Sequence, residues 1–349
     1  ALMRRIICDI INSDDDFQAT DFCRDGLEAY ERLKVKSYDG VVLDVNMPKM
    51  DGIQLLRMLQ KDKIRARIMM ASTDTKEGAS VTMEALELGA IDFIEKPANI
   101  LHLRGDDFKA RFLNILKAVV SSPQTNIPRE SAVTVKKNEE STRKLVDIVR
   151  KSKPVVSGQK IVAIACSTGG PKALQSVIPR LPAELAAPVL IVQHMPQGFT
   201  QSLAERLNSL SKIKVKEAAE GDVLENGMVY IARGGKHMNV ETRGGRSVIR
   251  YTDEPPREGV KPCANYMYES LKTSAYSQIV CVVLTGMGAD GTKGIVNLET
   301  AKKIHVIAQD EATSTVYGMP KSIAATGLVN QVVGLDDVAQ EIIMNVGVK

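Results

Sequence analysis

Residues 160–171 read Lys-Ile-Val-Ala-Ile-Ala-Cys-Ser-Thr-Gly-Gly-Pro, an apolar run that passes directly into a loop of small residues and a proline. The run has the length of a strand and no polar alternation, which is typical of a parallel strand buried on both faces. Paired glycines followed by proline favour a tight turn and the start of a helix. The stretch therefore predicts a strand–turn–helix unit of a doubly wound α/β sheet.

Similar apolar runs recur through the C-terminal half, each followed by a segment of helix length. The predicted strands are residues 160–165, 188–193, 278–284, 303–308 and 328–333. Three segments differ from these runs and lie around Gly244-Gly245, a hairpin signal: residues 228–232, 237–242 and 247–251. We therefore expect a parallel sheet that carries a small antiparallel excursion.

The N-terminal part alternates strand and helix signals in the same way. A helix is expected near its start, and the predicted strands are residues 17–22, 40–44, 67–71 and 90–94. Residues 121–157 interrupt this alternation with three prolines and an excess of basic side chains. We predict a doubly wound domain over residues 1–120, a linker over 121–157 with one short helix around 142–151, and a second doubly wound domain over 158–349.

The composition excludes several classes of protein. A chain of 349 residues, 44% hydrophobic and 25% charged, can bury two globular cores. Its net charge of +4 is too small for a protein that mainly neutralises nucleic-acid phosphates, and no apolar run approaches the ~20 residues that span a membrane. Five cysteines without a CxxC pair indicate neither a zinc site nor a disulfide framework. We expect a cytoplasmic protein without membrane insertion, and a monomer, since nothing demands more.

Three residue types of nucleophilic catalysis follow three predicted strands of the C-terminal half: Ser167, His194 and Asp290. The carboxyl ends of parallel strands meet at one edge of the sheet, so these side chains are expected to lie close together. A serine nucleophile, an imidazole base and an orienting carboxylate are the parts of a catalytic triad. Each residue alone also has a structural explanation, such as Ser167 capping a helix. A phosphate-binding loop is a further alternative, although neither GxGxxG nor GxxxxGK[ST] is matched.

The N-terminal half contains a second candidate site. Asp44 ends one predicted strand, Ser72 follows the next, and Lys96 follows the last. A carboxylate that attacks a phosphoryl group needs positive charge nearby, and the Lys96 ammonium supplies it. The acidic cluster Asp14-Asp15-Asp16 is expected at the opposite edge of the sheet, as a solvated turn.

Asp44 within Asp-Val-Asn-Met-Pro-Lys-Met-Asp-Gly, and Lys96-Pro97 after Leu-Gly-Ala-Ile-Asp-Phe, resemble the receiver domain of two-component response regulators. The resemblance implies a flavodoxin-like fold in which a histidine kinase phosphorylates Asp44, while Asp44 and two acids on the first strand hold Mg²⁺. That first strand is missing from this sequence, and we expect a segment to precede Ala1. Ala71 stands where the family has its switch hydroxyl, which leaves Ser72 as the candidate beside Lys96.

A second resemblance rests on four motifs of the C-terminal half: Ser-Thr-Gly-Gly-Pro at 167–171, Gln-His-Met-Pro at 193–196, Leu-Thr-Gly-Met-Gly-Ala-Asp-Gly at 284–291 and Tyr-Gly-Met-Pro at 317–320. Together with the receiver they resemble the chemotaxis response-regulator protein-glutamate methylesterases over essentially the whole chain. The resemblance implies a Rossmann-like effector in which Ser167 is the nucleophile, His194 the general base and Asp290 the orienting acid. It also implies an oxyanion donor at the Met287 N–H and places Thr168 beside the nucleophile.

The resemblance implies a function as well. It is the hydrolysis of glutamate γ-methyl esters, and the deamidation of some glutamines, on methyl-accepting chemotaxis receptors. A chemotaxis histidine kinase is the expected phosphodonor; the esterase needs no cofactor, and phosphorylation of the receiver needs Mg²⁺. The alternative from another class is a response regulator whose second domain binds a nucleotide or partner without catalysis. His237 also matches a family motif and is expected to be structural or to support the site, and Cys166 is expected to be a buried thiol.

Overall fold

The computed structural model describes residues 2–73, 75–97, 105–123 and 159–349. The chain divides into two compact units, Ala1–Arg129 and Glu130–Lys349. The helix predicted around 142–151, and most of the predicted linker, lie outside the described residues. Within the described ranges no helix is long and apolar enough to cross a membrane.

The first unit contains a parallel sheet of three strands in the order β1-β2-β3, namely β1 (Val41–Asp44), β2 (Ile68–Thr73) and β3 (Asp92–Lys96). Its helices are α1 (Leu2–Ile11), α2 (Gly26–Val35), α3 (Gly52–Lys61), α4 (Lys76–Glu87) and α5 (Asp106–Ser121). The predicted strands at 40–44, 67–71 and 90–94 correspond to β1, β2 and β3, and the helix expected near the start is α1. A core cluster joins α1 and α5 to the sheet, with Ile6 and Phe112 among its buried members.

The strand predicted at residues 17–22 is wrong. These residues form no ladder with any described strand, and the Ala19 N–H donates instead to the Asn12 side chain. Among the described strands none lies beside this segment. Strand propensity without a neighbouring backbone to pair with does not produce a strand.

The start of α3 shows how local chemistry sets an element's boundary. The Asp51 side chain accepts a hydrogen bond from the Gln54 N–H, and the Gln54 side chain accepts one from the Asp51 N–H. This capping box satisfies two helix-end donors directly after the loop that follows Asp44. The helix then buries Leu55 and Leu59 against the sheet.

The second unit is built on a parallel sheet of seven strands in the order β12-β11-β10-β4-β5-β7-β6. The strands are β4 (Lys160–Cys166), β5 (Val189–Gln193), β6 (Lys214–Glu217), β7 (Met228–Ile231), β10 (Gln278–Val283), β11 (Lys303–Gln309) and β12 (Gln331–Val333). The helices are α6 (Gly170–Val177), α7 (Phe199–Leu210), α8 (Ala264–Ser270), α9 (Thr292–Glu299), α10 (Met319–Ala324) and α11 (Val338–Val346). The three central strands β10, β4 and β5 are almost completely buried, as their apolar runs predict.

A separate antiparallel hairpin, β8 (His237–Arg243) and β9 (Arg246–Thr252), confirms the predicted excursion. Gly244 and Gly245 form its turn, both with positive φ. The assignment of residues 228–232 to this excursion is wrong, because β7 lies in the main sheet, parallel to β5 and β6. Strand β6 was not predicted, because it has only four residues and three of them are charged.

Candidate active site

Ser167 lies in the turn between β4 and α6. Gly169 in this turn has φ +78°, and a side chain there would come within 2.4 Å of the Thr315 hydroxyl oxygen, so glycine is required. The Ser167 N–H donates to the Thr285 carbonyl across the sheet at 3.0 Å. The turn is therefore held to the neighbouring loop after β10, and Ser167 itself is half-buried.

His194 and Asp290 meet at the same sheet edge. His194 follows β5, Asp290 lies in the loop after β10, and His194 Nε2 is 2.7 Å from Asp290 Oδ2. The His194 side chain is 10% exposed and that of Asp290 3%. Because Nε2 faces the carboxylate, it carries the proton in the neutral ring and Nδ1 keeps the lone pair. Nδ1 is thus the nitrogen that can take a proton.

The Asp290 carboxylate accepts hydrogen bonds on both oxygens. Besides His194, the Ala264 N–H donates to Oδ2 at 2.6 Å, and the N–H groups of Asn265 and Gly291 donate to Oδ1 at 3.0 and 2.8 Å. The Cys263 thiol adds a donor to Oδ1 at 3.0 Å. Burial alone would raise the pKa of Asp290, but the bonds from His194, Cys263 and Ala264 lower it to about 2. Asp290 is therefore a fixed negative charge at neutral pH.

Gln193, which the sequence analysis did not single out, joins the serine turn to the histidine loop. Its side-chain Nε2 donates to the Ser167 carbonyl at 3.0 Å and to the His194 carbonyl at 3.2 Å. A Cβ at Gly170 would lie 1.9 Å from its Oε1, so the second glycine of the turn makes room for this amide. A buried amide ending the otherwise apolar strand β5 is the signal that could have identified it.

The loop after β10 packs directly on the serine. A Cβ at Gly286 would lie 2.9 Å from Ser167 Cβ, so only glycine allows this approach. The next residue, Met287, is exposed, and no acceptor takes its N–H in the part of the chain that the structure describes. Thr168 is buried, and its carbonyl accepts the Thr285 hydroxyl at 2.9 Å. Among the described residues no hydrogen bond joins the Ser167 hydroxyl to His194, a contact that often tightens only when substrate binds.

The N-terminal unit brings Asp44 and Lys96 together. Lys96 Nζ is 2.8 Å from Asp44 Oδ1, and the Asn46 N–H donates to the same oxygen at 3.1 Å. Asp44 is paired in register with Ala71 of β2, which lies next to β3 and Lys96. The position facing this carboxylate across β1 and β2 is therefore a methyl group.

Ser72, predicted as the switch hydroxyl, is not brought to Asp44. Successive residues of a strand point to opposite faces, so Ser72 lies on the face opposite Ala71 and Asp44. Its hydroxyl donates to the Gly78 carbonyl at 3.2 Å and accepts from Thr82 at 2.7 Å, both on α4. The prediction failed because a one-residue displacement along a strand reverses the face.

The donor set around Asp44 does not make a complete Mg²⁺ site. Mg²⁺ prefers several oxygen ligands, usually including one or two carboxylates. Asp44 contributes a single carboxylate whose Oδ1 already faces the Lys96 ammonium. Across residues 2–73, 75–97, 105–123 and 159–349, no group of three or more His, Cys, Asp or Glu side chains is placed to hold a metal ion.

A serine in a strand–helix turn, an imidazole–carboxylate pair and the loop of Met287 thus lie together at one edge of the sheet, which is the arrangement that serine hydrolases use. Comparison with known proteins agrees: residues 162–342 match the family model described as CheB methylesterase, and residues 1–105 match that of the response regulator receiver domain. The chain belongs to the CheB methylesterase family, with a receiver domain at its N-terminal side.

Relatives match over nearly the full length. The chain is 42% identical over 345 residues to a protein-glutamate methylesterase/protein-glutamine glutaminase of Pyrococcus abyssi, covering 98% of this chain and 90% of the relative. It is 38% identical to the protein of the same name from Bacillus subtilis, covering 98% and 95%. The crystal structure of the Thermotoga maritima CheB methylesterase catalytic domain matches with a TM-score of 0.52 at 39% identity, covering 55% of this chain and all of that domain.

Proposed function

We propose that this chain is a phosphorylation-regulated protein-glutamate methylesterase and protein-glutamine glutaminase of chemotactic adaptation. The observation that carries the proposal is the buried contact of His194 Nε2 with Asp290 Oδ2 at 2.7 Å, at the sheet edge that also bears Ser167. The names of the relatives with near-complete coverage support the substrate class.

In the proposed reaction the Ser167 hydroxyl attacks the γ-carbonyl carbon of a methylated glutamate. His194 Nδ1 takes the hydroxyl proton, and Asp290 stabilises the imidazolium that forms. The oxygen of the tetrahedral intermediate develops a negative charge, and the Met287 N–H donates a hydrogen bond to it. The imidazolium then protonates the leaving methoxide, methanol departs, and an acyl ester remains on Ser167.

Water completes the reaction. His194 Nδ1 takes a proton from water as the hydroxide attacks the acyl carbon. The bond between the acyl carbon and Ser167 Oγ then breaks, and the imidazolium returns the proton to that oxygen. The products are glutamate and methanol. A glutamine side chain follows the same steps with ammonia as the leaving group, so one site accounts for both names of the relatives.

Regulation is proposed to act through Asp44. A chemotaxis histidine kinase is the proposed phosphodonor, methyl-accepting chemotaxis receptors are the proposed substrates, and the cytoplasm is the proposed location. The phosphorylated Asp44 side chain would carry ~1.5 to 2 negative charges in place of the single charge of its carboxylate, and this change in charge is proposed to alter how the receiver acts on the esterase. We expect uptake to need Mg²⁺ held by acidic residues in addition to Asp44, as in a receiver that carries its first-strand pair.

The unphosphorylated receiver is proposed to hold the esterase back. Deleting residues 1–157 should then raise basal methanol release about tenfold, the effect of removing ~1.4 kcal/mol of bias. The measurement compares initial rates of the full chain and of residues 158–349 on the same substrate. A folded fragment whose rate is unchanged or lower would rule out autoinhibition.

The test of the function itself is methanol release from methylated chemoreceptor membranes. The full chain should release methanol, and Ser167→Ala should not. Ser176→Ala is the matched control, because this serine lies on α6, the helix that follows the turn, and its hydroxyl donates to the Lys172 carbonyl of the same helix. No release from the full chain or from residues 158–349 would favour the non-catalytic alternative.

A further inference from the structure

Among the groups that donate hydrogen bonds to the Asp290 carboxylate is a cysteine thiol. Cys263 Sγ lies 3.0 Å from Asp290 Oδ1, and Cys263 is fully buried. In the described part of the chain, the other donors to this oxygen are the main-chain N–H groups of Asn265 and Gly291. Cys263 is therefore the side chain that, together with these two N–H groups, holds Oδ1, while His194 contacts Oδ2.

The backbone of Cys263 is itself anchored. Its N–H donates to His237 Nδ1 at 3.2 Å, while His237 Nε2 faces the Pro255 carbonyl at 3.3 Å. Burial lowers the pKa of His237, so the ring is neutral, with the proton on Nε2 and the lone pair on Nδ1. The ring packs on Tyr266, with 4.5 Å between centroids. His237, which is not one of the three candidate catalytic residues, thus anchors the main chain at Cys263.

The thiol is held in its donating form. Burial, together with the charge of Asp290, raises the pKa of Cys263 to about 12, so the sulfur keeps its proton at neutral pH. A neutral donor beside a carboxylate makes a charge-assisted hydrogen bond, stronger than one between neutral groups. A thiolate here would instead repel Asp290.

We propose that Cys263 is a positioning residue of the esterase: its thiol holds Asp290 Oδ1 so that Oδ2 stays directed at His194 Nε2. The inference rests on the proposed function. Because Cys263 is fully buried and contacts Asp290, its contribution should appear in the chemical step and not in substrate binding. Removing the thiol leaves Oδ1 with two main-chain donors, so the carboxylate is held less firmly and its contact with His194 is weakened.

The experiment compares the full chain with Cys263→Ala, Cys263→Ser and Cys281→Ala. Cys281 is equally buried, in the central strand β10, and has no hydrogen bond to Asp290 in the described residues, so its variant reports the cost of losing a buried sulfur. Cys263→Ala should lower kcat about tenfold, the equivalent of one modest hydrogen bond, and leave KM within about twofold. Cys263→Ser, which keeps a donor, should restore kcat to within about threefold of the parent, and Cys281→Ala should match the parent.

If the parent chain releases methanol, three outcomes overturn this proposal and leave the proposed function standing. In the first, Cys263→Ala keeps the parent kcat; in the second, kcat falls equally in Cys263→Ala and Cys263→Ser; in the third, the loss appears only in KM. A parent chain that releases no methanol overturns the proposed function and this inference with it. If Cys263→Ala does not fold, infrared spectroscopy of the thiol groups tests the proposal instead. The S–H stretching band of Cys263 is identified as the band that is lost in Cys263→Ser. A band at lower frequency than that removed by Cys281→Ala supports the bond to Asp290, and an equal frequency contradicts it.

Discussion

The two units place an aspartate at the carboxyl edge of a parallel sheet in very different surroundings. The Asp44 side chain is 35% exposed and its Oδ1 meets one ammonium and one N–H, whereas Asp290 is 3% exposed and both its oxygens are bound by several donors. Access to an oxygen lone pair is what a nucleophile needs, and a fixed charge is what an orienting group needs. The same residue type at the same edge is thus suited to two roles by its donors and burial.

The largest expected effect concerns phosphate uptake at Asp44, the more exposed of the two carboxylates. In a chain that carries the acidic pair of a receiver's first strand, Asp44→Asn should abolish phosphate uptake from an acyl phosphate, because the amide lacks the attacking oxygen. Asp39→Asn, at an exposed position five residues earlier, is the control and should take up one phosphate per chain. Intact mass measures the uptake. Phosphate uptake by Asp44→Asn would show that another residue accepts the phosphoryl group.

A substitution of the buried carboxylate, Asp290, should lower the rate of methanol release. Asp290→Asn should lower kcat for methanol release by ~10⁴, because the amide no longer selects the His194 tautomer that accepts the serine proton. Asp336→Asn, which alters an exposed ion pair with Arg180, is the control and should stay near the parent rate. A loss below about tenfold for Asp290→Asn would mean that the contact with His194 is structural.

The donors around Asp290 should also be visible in stability. Its pKa is about 2 in the folded chain against 3.8 ordinarily, so the ionised group stabilises the fold above pH ~4, and this contribution is lost as the pH falls through the folded value. The difference in the free energy of unfolding between the parent and Asp290→Asn should therefore shrink by about 2 kcal/mol from pH ~5 to pH ~2. Urea unfolding at several pH values measures it. A difference that stays constant over this range would contradict the assigned donors.

The smallest effect is expected at the residue before the nucleophile. Cys166 is fully buried, and its thiol makes one long contact, 3.9 Å to the Val192 carbonyl. Cys166→Ala should keep methanol release within a few-fold and cost about 1–2 kcal/mol of stability, from the small cavity it leaves. The measurement pairs initial rates with urea unfolding. A loss of activity as large as that of Ser167→Ala would instead place the thiol in the reaction.

The strands next to the candidate site could be predicted from the sequence, because β4, β5 and β10 are apolar runs that end just before Ser167, just before His194 and just before the loop of Asp290. Edge elements were harder to predict: residues 17–22 resemble a strand but pair with no described strand, and β6 is only four residues long, three of them charged. Cys263, whose contact with Asp290 spans 27 positions, has no periodic signal. Such support for a site arises from tertiary packing, which no single sequence pattern records.

The central claim is that Ser167 and His194 act as one catalytic unit oriented by Asp290. Kinetics of the two single variants, Ser167→Ala and His194→Ala, and of the double variant test it most directly. Groups that act as a unit are strongly non-additive, so the double variant should release methanol no more slowly than either single one. If the losses multiply instead, the two residues work independently and the triad assignment is contradicted.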